Sequence, residues 1–539
     1  MKKLVSLFLT LALILSLSAT AFAADNVNVV MPAGEITRTY DAYQLLELTT
    51  SLKANEHHTD HDGEHTDDCY NYAYTVKETY RTILQEETFN YAGTSVWGTQ
   101  GKPASVAGVT DENILSYLSK QSSDGGENYG TLRQVADRLY HAITEKNITP
   151  DAEDITETAS IGQGYWMFAD VTVLTGEDEA TSLVIVDTKG LSNITITPKV
   201  SIPTIEKKVK DIEDSEDSNI ADNPWHDSAD HDIGDTVPFK LTADAPSNAA
   251  FYDTYKLVFH DTLSDGLTLK PDTIEVLMYE TKHKADADTD LSDGVDVTTY
   301  FTKTTAGLND SCTFEVSCDN VKAIPNMWLT AAFVVYYEAE LNKDAVIGAA
   351  GNPNEVYLEF SNNPYGEGTG KTEADKVIVF TYQMDVNKTD SHGHALEGAG
   401  FTLYKKNHVS DEYEIIGKEL SGEAMTTFTW KGLDDGDYKL VETTVPAGYN
   451  KMEDILFSIT ATHSEVSDDP QLLTLDGGKM GTGDVKTGKI TKDIVNNTGT
   501  VLPETGAQGT FLLISVSTLF VMVAAVFMVT RKKMSIYED

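Results

Sequence analysis

The sequence predicts a mainly β chain: two tandem β-sandwich domains after a mixed α+β N-terminal domain, bracketed by a signal peptide and a C-terminal transmembrane helix. Three observations predict it. From Lys199 onward, segments rich in Val, Ile, Thr, Tyr and Phe alternate with turns, and helical periodicity is nearly absent. Ahead of Lys199, strand-like runs are mixed with an apolar stripe at helical spacing, Leu132, Val135, Leu139 and Ile143. Near the C-terminus, Phe511 to Val529 are 19 residues without a charge. At ~1.5 Å rise per residue they make a helix of about 28 Å, long enough to span a bilayer.

Taken in order, Met1-Lys2-Lys3, the apolar Leu4 to Leu17 and the small-residue site Ala21-Phe22-Ala23 read as a secretory signal over residues 1–23. The N-terminal domain is expected over 24–198. Its strands are read at Val27 to Val30, Tyr40 to Leu46, Tyr165 to Ala169 and Ser182 to Val186. The first sandwich is expected over 199–382, the second over 383–498, and the terminal segment over 499–539. Arg531-Lys532-Lys533 directly follows the apolar run, which puts that end inside the cell and everything before the run outside. Lys+Arg 40 against Asp+Glu 85 give a net charge of -45, which repels nucleic acid and anionic lipid and excludes nucleic-acid binding.

The three cysteines, Cys69, Cys312 and Cys318, are too few for a disulfide-stapled scaffold. Cys312 and Cys318 can meet across a hairpin as a disulfide, or stand as two free thiols. The tract from His57 to Cys69 holds four histidines, several carboxylates and a thiol, the ligand types a transition metal prefers, with His57, His61, His65 and Cys69 as candidates. Its spacing matches no defined site, and such polar tracts are also found as solvated insertions.

The chemistry is carried by strand faces. Period-2 alternation puts Lys207 with Ile205 and Val209, Asp261 with Leu257, Phe259 and Leu263, and Asn362 with Val356, Leu358 and Phe360. The next domain repeats the set: Lys388 with Met384 and Val386, Glu442 with Tyr438 and Leu440, and Asn496 with Ile490 and Ile494, where Lys492 is the odd member. A buried lysine is costly without a partner, so the same triplet twice over argues for a purpose. Desolvation lowers the amine pKa and raises that of the acid, so both can be neutral. A neutral amine can then attack the side-chain amide of asparagine while the acid polarises the carbonyl and passes a proton to departing ammonia. The product is an uncharged, buried Lys–Asn isopeptide bond.

Val386-Asn387-Lys388-Thr389-Asp390, Gly398-Ala399-Gly400-Phe401 and the run Tyr438 to Tyr449 give residues 384–497 a resemblance to the CNA-B type domain of Gram-positive pilins. Pro203 to Val209, His260-Asp261-Thr262-Leu263 and Phe360 to Pro364 resemble the pilin domain that precedes it. The resemblance implies tandem Ig-like/CNA-B sandwiches in which Lys388 bonds Asn496 with Glu442 as catalytic acid, and Lys207 bonds Asn362 assisted by Asp261. Asn363 and Asn497 are adjacent candidates, and Glu338 and Glu359 are fallback acids.

Leu502-Pro503-Glu504-Thr505-Gly506, followed by the apolar run and the basic tail, resembles the LPXTG cell-wall sorting signal read by sortases. It implies cleavage between Thr505 and Gly506 and transfer of the Thr505 carbonyl to an amine. In shaft pilins the accepting lysine lies in a Tyr-Pro-Lys-Asn context. In this chain Thr197-Pro198-Lys199-Val200 stands at the corresponding junction, which makes Lys199 the candidate acceptor and Lys189 the weaker one. The resemblance therefore implies an exported, wall-anchored pilus shaft subunit. Its partners would be sortase, identical subunits head to tail, peptidoglycan, tip or adhesin pilins and a host surface; no cofactor is implied, and no catalysis beyond the single self-linking turnover. Two other readings are a monomeric wall-anchored adhesin binding through its N-terminal domain, and a metal-scavenging surface protein using the histidine tract.

Overall fold

The computed structural model describes residues 26–31, 37–52, 58–60, 63–65, 70–122, 131–174, 180–197, 201–212, 224–245, 249, 252–364, 368–407, 409–499 and 519–528. The chain is mainly β, with its helices concentrated near the N-terminus.

In the N-terminal region the long strand Tyr40–Leu52 lies between Tyr70–Val76 and Gly164–Asp170, and Leu183–Asp187 extends the sheet beyond Gly164–Asp170. Helices Glu78–Tyr91, Asp111–Leu118 and Thr131–Glu145 pack against it. The last of these buries Val135, Leu139 and Ile143, the stripe read from the sequence. The Asp111–Leu118 helix starts at a Thr110/Asn113 capping box, in which each side chain meets the other residue's backbone N–H. A second, smaller sheet joins Asn26–Val30 to Thr158–Gly162 and Asn193–Thr195 around Val27, Val29 and Trp166.

Two sheets then close on one core. The first runs in the order Trp225–His226, Ile205–Lys210, Thr236–Asp244, Ala332–Leu341, Leu267–Tyr279, Val295–Asp296. The second runs Ser228–Asp230, Asp375–Phe380, Asn352–Ser361, Leu257–Leu263, Phe314–Cys318, Thr302–Thr304. Phe239, Phe259, Phe314, Phe333, Val335 and Leu358 fill the space between them. The strand Asn352–Ser361 shows why this sequence pairs so: buried and partly exposed residues alternate along its whole length.

The last sandwich opens with Tyr382–Asp390, flanked by Thr427–Leu433 on one side and by Lys489–Asn496 on the other. Its first and last strands are parallel neighbours, pairing Lys388 with Ile494 and Asp390 with Asn496. A five-stranded sheet, Glu412–Ser421, Gly400–Asn407, Gly436–Thr444, Ile455–His463 and Leu472–Asp476, faces them across Phe401, Phe428, Tyr438 and Leu440. At the joint between the sandwiches Gly348 and Gly488 meet backbone to backbone with positive φ, and a Cβ on either would stand 2.5 Å from a backbone atom of the other segment, so no side chain fits.

The signal region 1–23 lies outside the described residues. Of the apolar run Phe511 to Val529, residues 519–528 are described and are helical. Among the described residues no helix is long and apolar enough to cross a membrane.

Candidate functional site

In the middle sandwich three elements converge on one dry point. Lys207, wholly buried, points inward from the first sheet, and Asp261, also wholly buried, points inward from the second. Lys207 Nζ donates to Asp261 Oδ2 and to the hydroxyl of Tyr337, the latter at 2.9 Å. That hydroxyl donates to Asp261 Oδ1 (3.1 Å) and accepts from Asn354 Nδ2 (2.7 Å). Tyr337 is itself clamped between Phe239 and Phe314, with ring centroids at 5.3 and 4.8 Å. Burial depresses the Lys207 amine against the opposing pull of Asp261, and burial lifts the Asp261 carboxyl against the pull of Lys207. Both shifts favour the neutral pair, the protonation states an amine nucleophile and an acid catalyst require.

The asparagine at this point is Asn354, not Asn362. Asn354 is fully buried, its Nδ2 reaches the same Tyr337 hydroxyl that holds the amine and the acid, and its Oδ1 has no hydrogen-bond partner. Asn362 lies on the same face eight residues further along, about 26 Å at strand rise. Its backbone N–H bonds Gly368 and its carbonyl accepts from Thr181, while Asn363 Oδ1 takes the Thr181 hydroxyl at 3.4 Å. Those two asparagines tie the N-terminal region to the middle sandwich. The expected Lys207–Asn362 pairing is corrected accordingly: alternation gave the right face and the wrong rung.

In the last sandwich the expected trio does meet. Lys388, Glu442 and Asn496 are all buried. Lys388 Nζ donates to the carbonyl of Ile494 at 3.0 Å, and Asn496 Nδ2 donates to Glu442 Oε1 at 2.7 Å. The second carboxylate oxygen accepts the Met452 N–H at 2.8 Å, which fixes the acid. Burial depresses the Lys388 amine and Glu442 opposes it. Asn496 Oδ1, like its counterpart Asn354 Oδ1, has no hydrogen-bond partner. Asn497 uses its backbone carbonyl to accept from Asn450.

The fallback acids are engaged elsewhere: Glu338 accepts from the Tyr336 hydroxyl and Glu359 pairs with Lys256 at 2.6 Å. Cys312 and Cys318 are both buried and free. No hairpin separates them: Cys318 ends the strand Phe314–Cys318 and Cys312 lies just ahead of its start, so the chain between them is extended and about 20 Å long. Burial pushes the Cys312 thiol up to about 12 and also raises that of Cys318. Exposed Lys189 stacks its ammonium over the Tyr72 ring at 4.6 Å. Lys199, Leu502, Pro503, Glu504, Thr505 and Gly506 lie outside the described residues, as do His57, His61 and Cys69. His65 ends the second strand of a short hairpin, His58–Asp60 with Gly63–His65, of which only the backbone is described.

Both sandwiches are of known kinds. Residues 382–470 match the SpaA family, a prealbumin-like fold domain, and residues 233–364 match the Gram-positive pilin backbone subunit 2, Cna-B-like domain. Over residues 233–364, then, the chain is similar to a domain of Gram-positive pilin backbone subunits, and over 382–470 to a prealbumin-like fold domain.

Among individual proteins, the chain is 27% identical over 269 residues to the trypsin-resistant surface T6 protein of Streptococcus pyogenes serotype M6. That alignment takes in 47% of this chain and 44% of the relative, so it spans less than half of the relative's length. The solved T6 backbone pilin of serotype M6 Streptococcus pyogenes is 17% identical, with a TM-score of 0.49 over 88% of this chain and 99% of the other. The full-length major pilin SpaD from Corynebacterium diphtheriae is 13% identical, with a TM-score of 0.40 over 88% of this chain and 98% of the other.

Proposed function

We propose that the chain is the repeating structural subunit of a covalently polymerised surface pilus, internally cross-linked by Lys207–Asn354 and Lys388–Asn496 amide bonds. The observation that carries this reading is the pair of buried amine, carboxyl and amide sites, one in each sandwich. In each, the lysine Nζ attacks the asparagine Cγ, the C–N bond to the side-chain nitrogen breaks, and the acid relays a proton from the amine to the leaving ammonia. Asp261 plays this part in the middle sandwich and Glu442 in the last. Each event occurs once, without turnover, and leaves a neutral link in place of a buried lysine.

The two links close loops of roughly 150 and 110 residues, worth about 5 kcal/mol each in the chain-entropy picture used for disulfides. In the last sandwich the link joins the first strand to the last, so tension between them is carried by a covalent bond, which suits a filament under load; in the middle sandwich the link staples the two sheets, and Asp375–Phe380 lies beyond it. Assembly is assigned to sortase, which would cut after Thr505 and pass its carbonyl to Lys199 of the next subunit or to peptidoglycan at the wall.

The test is the full chain expressed with its cognate sortase and extracted in boiling detergent. A ladder of covalent oligomers is expected, and Lys199→Ala should reduce it to monomer. A ladder that survives Lys199→Ala would move the acceptor elsewhere, and a wild-type chain that runs only as monomer would favour a wall-anchored adhesin instead.

A further inference from the structure

On the outer face of the middle sandwich, back to back with Asp261, His260 sits between two cross-strand neighbours, Glu315 on one side and Tyr357 on the other. The Tyr357 ring stacks on the imidazole with centroids 4.4 Å apart and planes 8° apart, which fixes the plane of the imidazole. Nδ1 faces the loop that leads into Phe314–Cys318, where Asp310 and Cys312 stand. It lies 2.7 Å from Asp310 Oδ2 and 3.4 Å from Glu315 Oε1. One ligand atom from each of His260, Asp310, Cys312 and Glu315 falls within 4.8 Å of all the others.

We propose that His260, Asp310, Cys312 and Glu315 form a tetrahedral transition-metal site of the zinc class. Bonds of about 2.0–2.3 Å to a central ion separate tetrahedral ligands by about 3.5 Å, and the four side chains need only small adjustments to reach that spacing. An imidazole and a thiolate beside two carboxylates select a borderline metal over calcium or magnesium.

The second observation is the far side of the ring. His260 Nε2 is buried without a hydrogen-bond partner, 3.8 Å from Glu359 Oε2. With Nδ1 given to a metal, Nε2 must carry the proton and point it at Glu359, the carboxylate–histidine–metal arrangement that orients such ligands. As a plain hydrogen-bond network the same residues leave that nitrogen idle and a thiol sealed against carboxylates. Exposed Asp310 gives the ion its way in, and the Cys312 thiol releases its proton to water as the metal binds.

The test uses the full chain with the histidine tract silenced by His57→Gln, His58→Gln, His61→Gln, His65→Gln and Cys69→Ser. Cobalt(II) should bind one to one, with a thiolate-to-metal charge-transfer band in the near ultraviolet and tetrahedral bands in the visible, all displaced by zinc. Cys312→Ser should remove the charge-transfer band, Cys318→Ser should keep it, and Glu359→Gln should weaken binding about tenfold. Should Cys312→Ser lose its native near-ultraviolet dichroism, Glu315→Gln serves instead, with affinity expected to fall by more than about tenfold. Absence of the band in the silenced chain, its survival in Cys312→Ser, or an unchanged affinity in Glu315→Gln would overturn the proposal.

Discussion

The middle and last sandwiches bring the same three side-chain types together by different routes. In the middle one the lysine comes from one sheet and both acid and asparagine from the other, so the proposed bond staples the two sheets across the core. In the last one the lysine and asparagine sit on parallel neighbouring strands, so the bond ties the first strand to the last within one sheet while the acid reaches over from the opposite sheet. The contacts differ to match. Asp261 already holds the amine, and Tyr337 gathers amine, acid and amide on one hydroxyl; Glu442 holds the amide, and a backbone carbonyl holds Lys388. The proposed reaction therefore asks for dryness and proximity rather than for one topology. A buried Lys–Asp pair that offsets its desolvation by passing a proton is as good a starting point as a buried lysine with no carboxylate in contact.

The severest trial of this contrast is to remove each acid separately. Asp261→Ala should leave Lys207 unreacted while the last sandwich still links, and Glu442→Ala should do the reverse. Calorimetry should find the affected sandwich about 5 kcal/mol less stable, and intact mass should show one ammonia retained. Loss of both links from either substitution would mean that the sites are not independent.

A smaller effect should separate the sites by mechanism. Tyr337→Phe removes the hydroxyl that only the middle site uses, so refolding followed by timed mass measurement should show link formation slowed by at least about tenfold there and unchanged in the last sandwich. Equal rates at both sites would reduce Tyr337 to a packing residue.

The smallest effect concerns the joint between the sandwiches. His463 Nε2 lies 3.2 Å from Asp211 Oδ2 and 3.5 Å from Asp230 Oδ1, and Nδ1 lies 2.8 Å from the Ser228 hydroxyl, which donates to Ser464. Both ring nitrogens thus have acceptors, as an imidazolium requires. Burial alone would lower the His463 pKa, but Asp211 and Asp230 outweigh it and raise it to about 10. A histidine whose folded pKa is raised binds more protons folded than unfolded. Its stabilising contribution is complete below the ordinary value of 6.5 and is lost as pH climbs toward about 10. Protection factors across Ser228–Asp230 and Ile455–His463, which remove the intrinsic base catalysis of exchange, should therefore fall between pH 7 and 10, and His463→Gln should flatten that dependence.

Much of both sites was legible from alternation alone. Lys207, Asp261, Lys388, Glu442 and Asn496 each interrupt an apolar strand face, and burying an amine is costly enough to make the interruption a signal. Asn354 carried the same signal, since it shares the face of Val356, Leu358 and Phe360, but it directly follows Pro353, a residue that alternation alone does not read through. In this fold the strand runs through it, from Asn352 to Ser361. The rung at which an asparagine meets Lys207 is set by how two sheets stack, which no local pattern encodes. The cysteines misled for a related reason: a short spacing suits a hairpin, but the residues between Cys312 and Cys318 form an extended run that pairs with Leu257–Leu263. Likewise the approach of His260 to Asp310, Cys312 and Glu315 depends on strand pairing across a long separation.

Whether the two sandwiches are covalently closed can be read from tandem mass spectrometry of a tryptic digest of the purified full chain. Branched peptides joining Lys207 to Asn354 and Lys388 to Asn496, each lighter than its two parts by one ammonia, are the predicted result. Unmodified Lys207 and Lys388 peptides at full abundance would contradict it, and a branch from Lys207 to Asn362 would contradict the assignment of Asn354 in the middle sandwich.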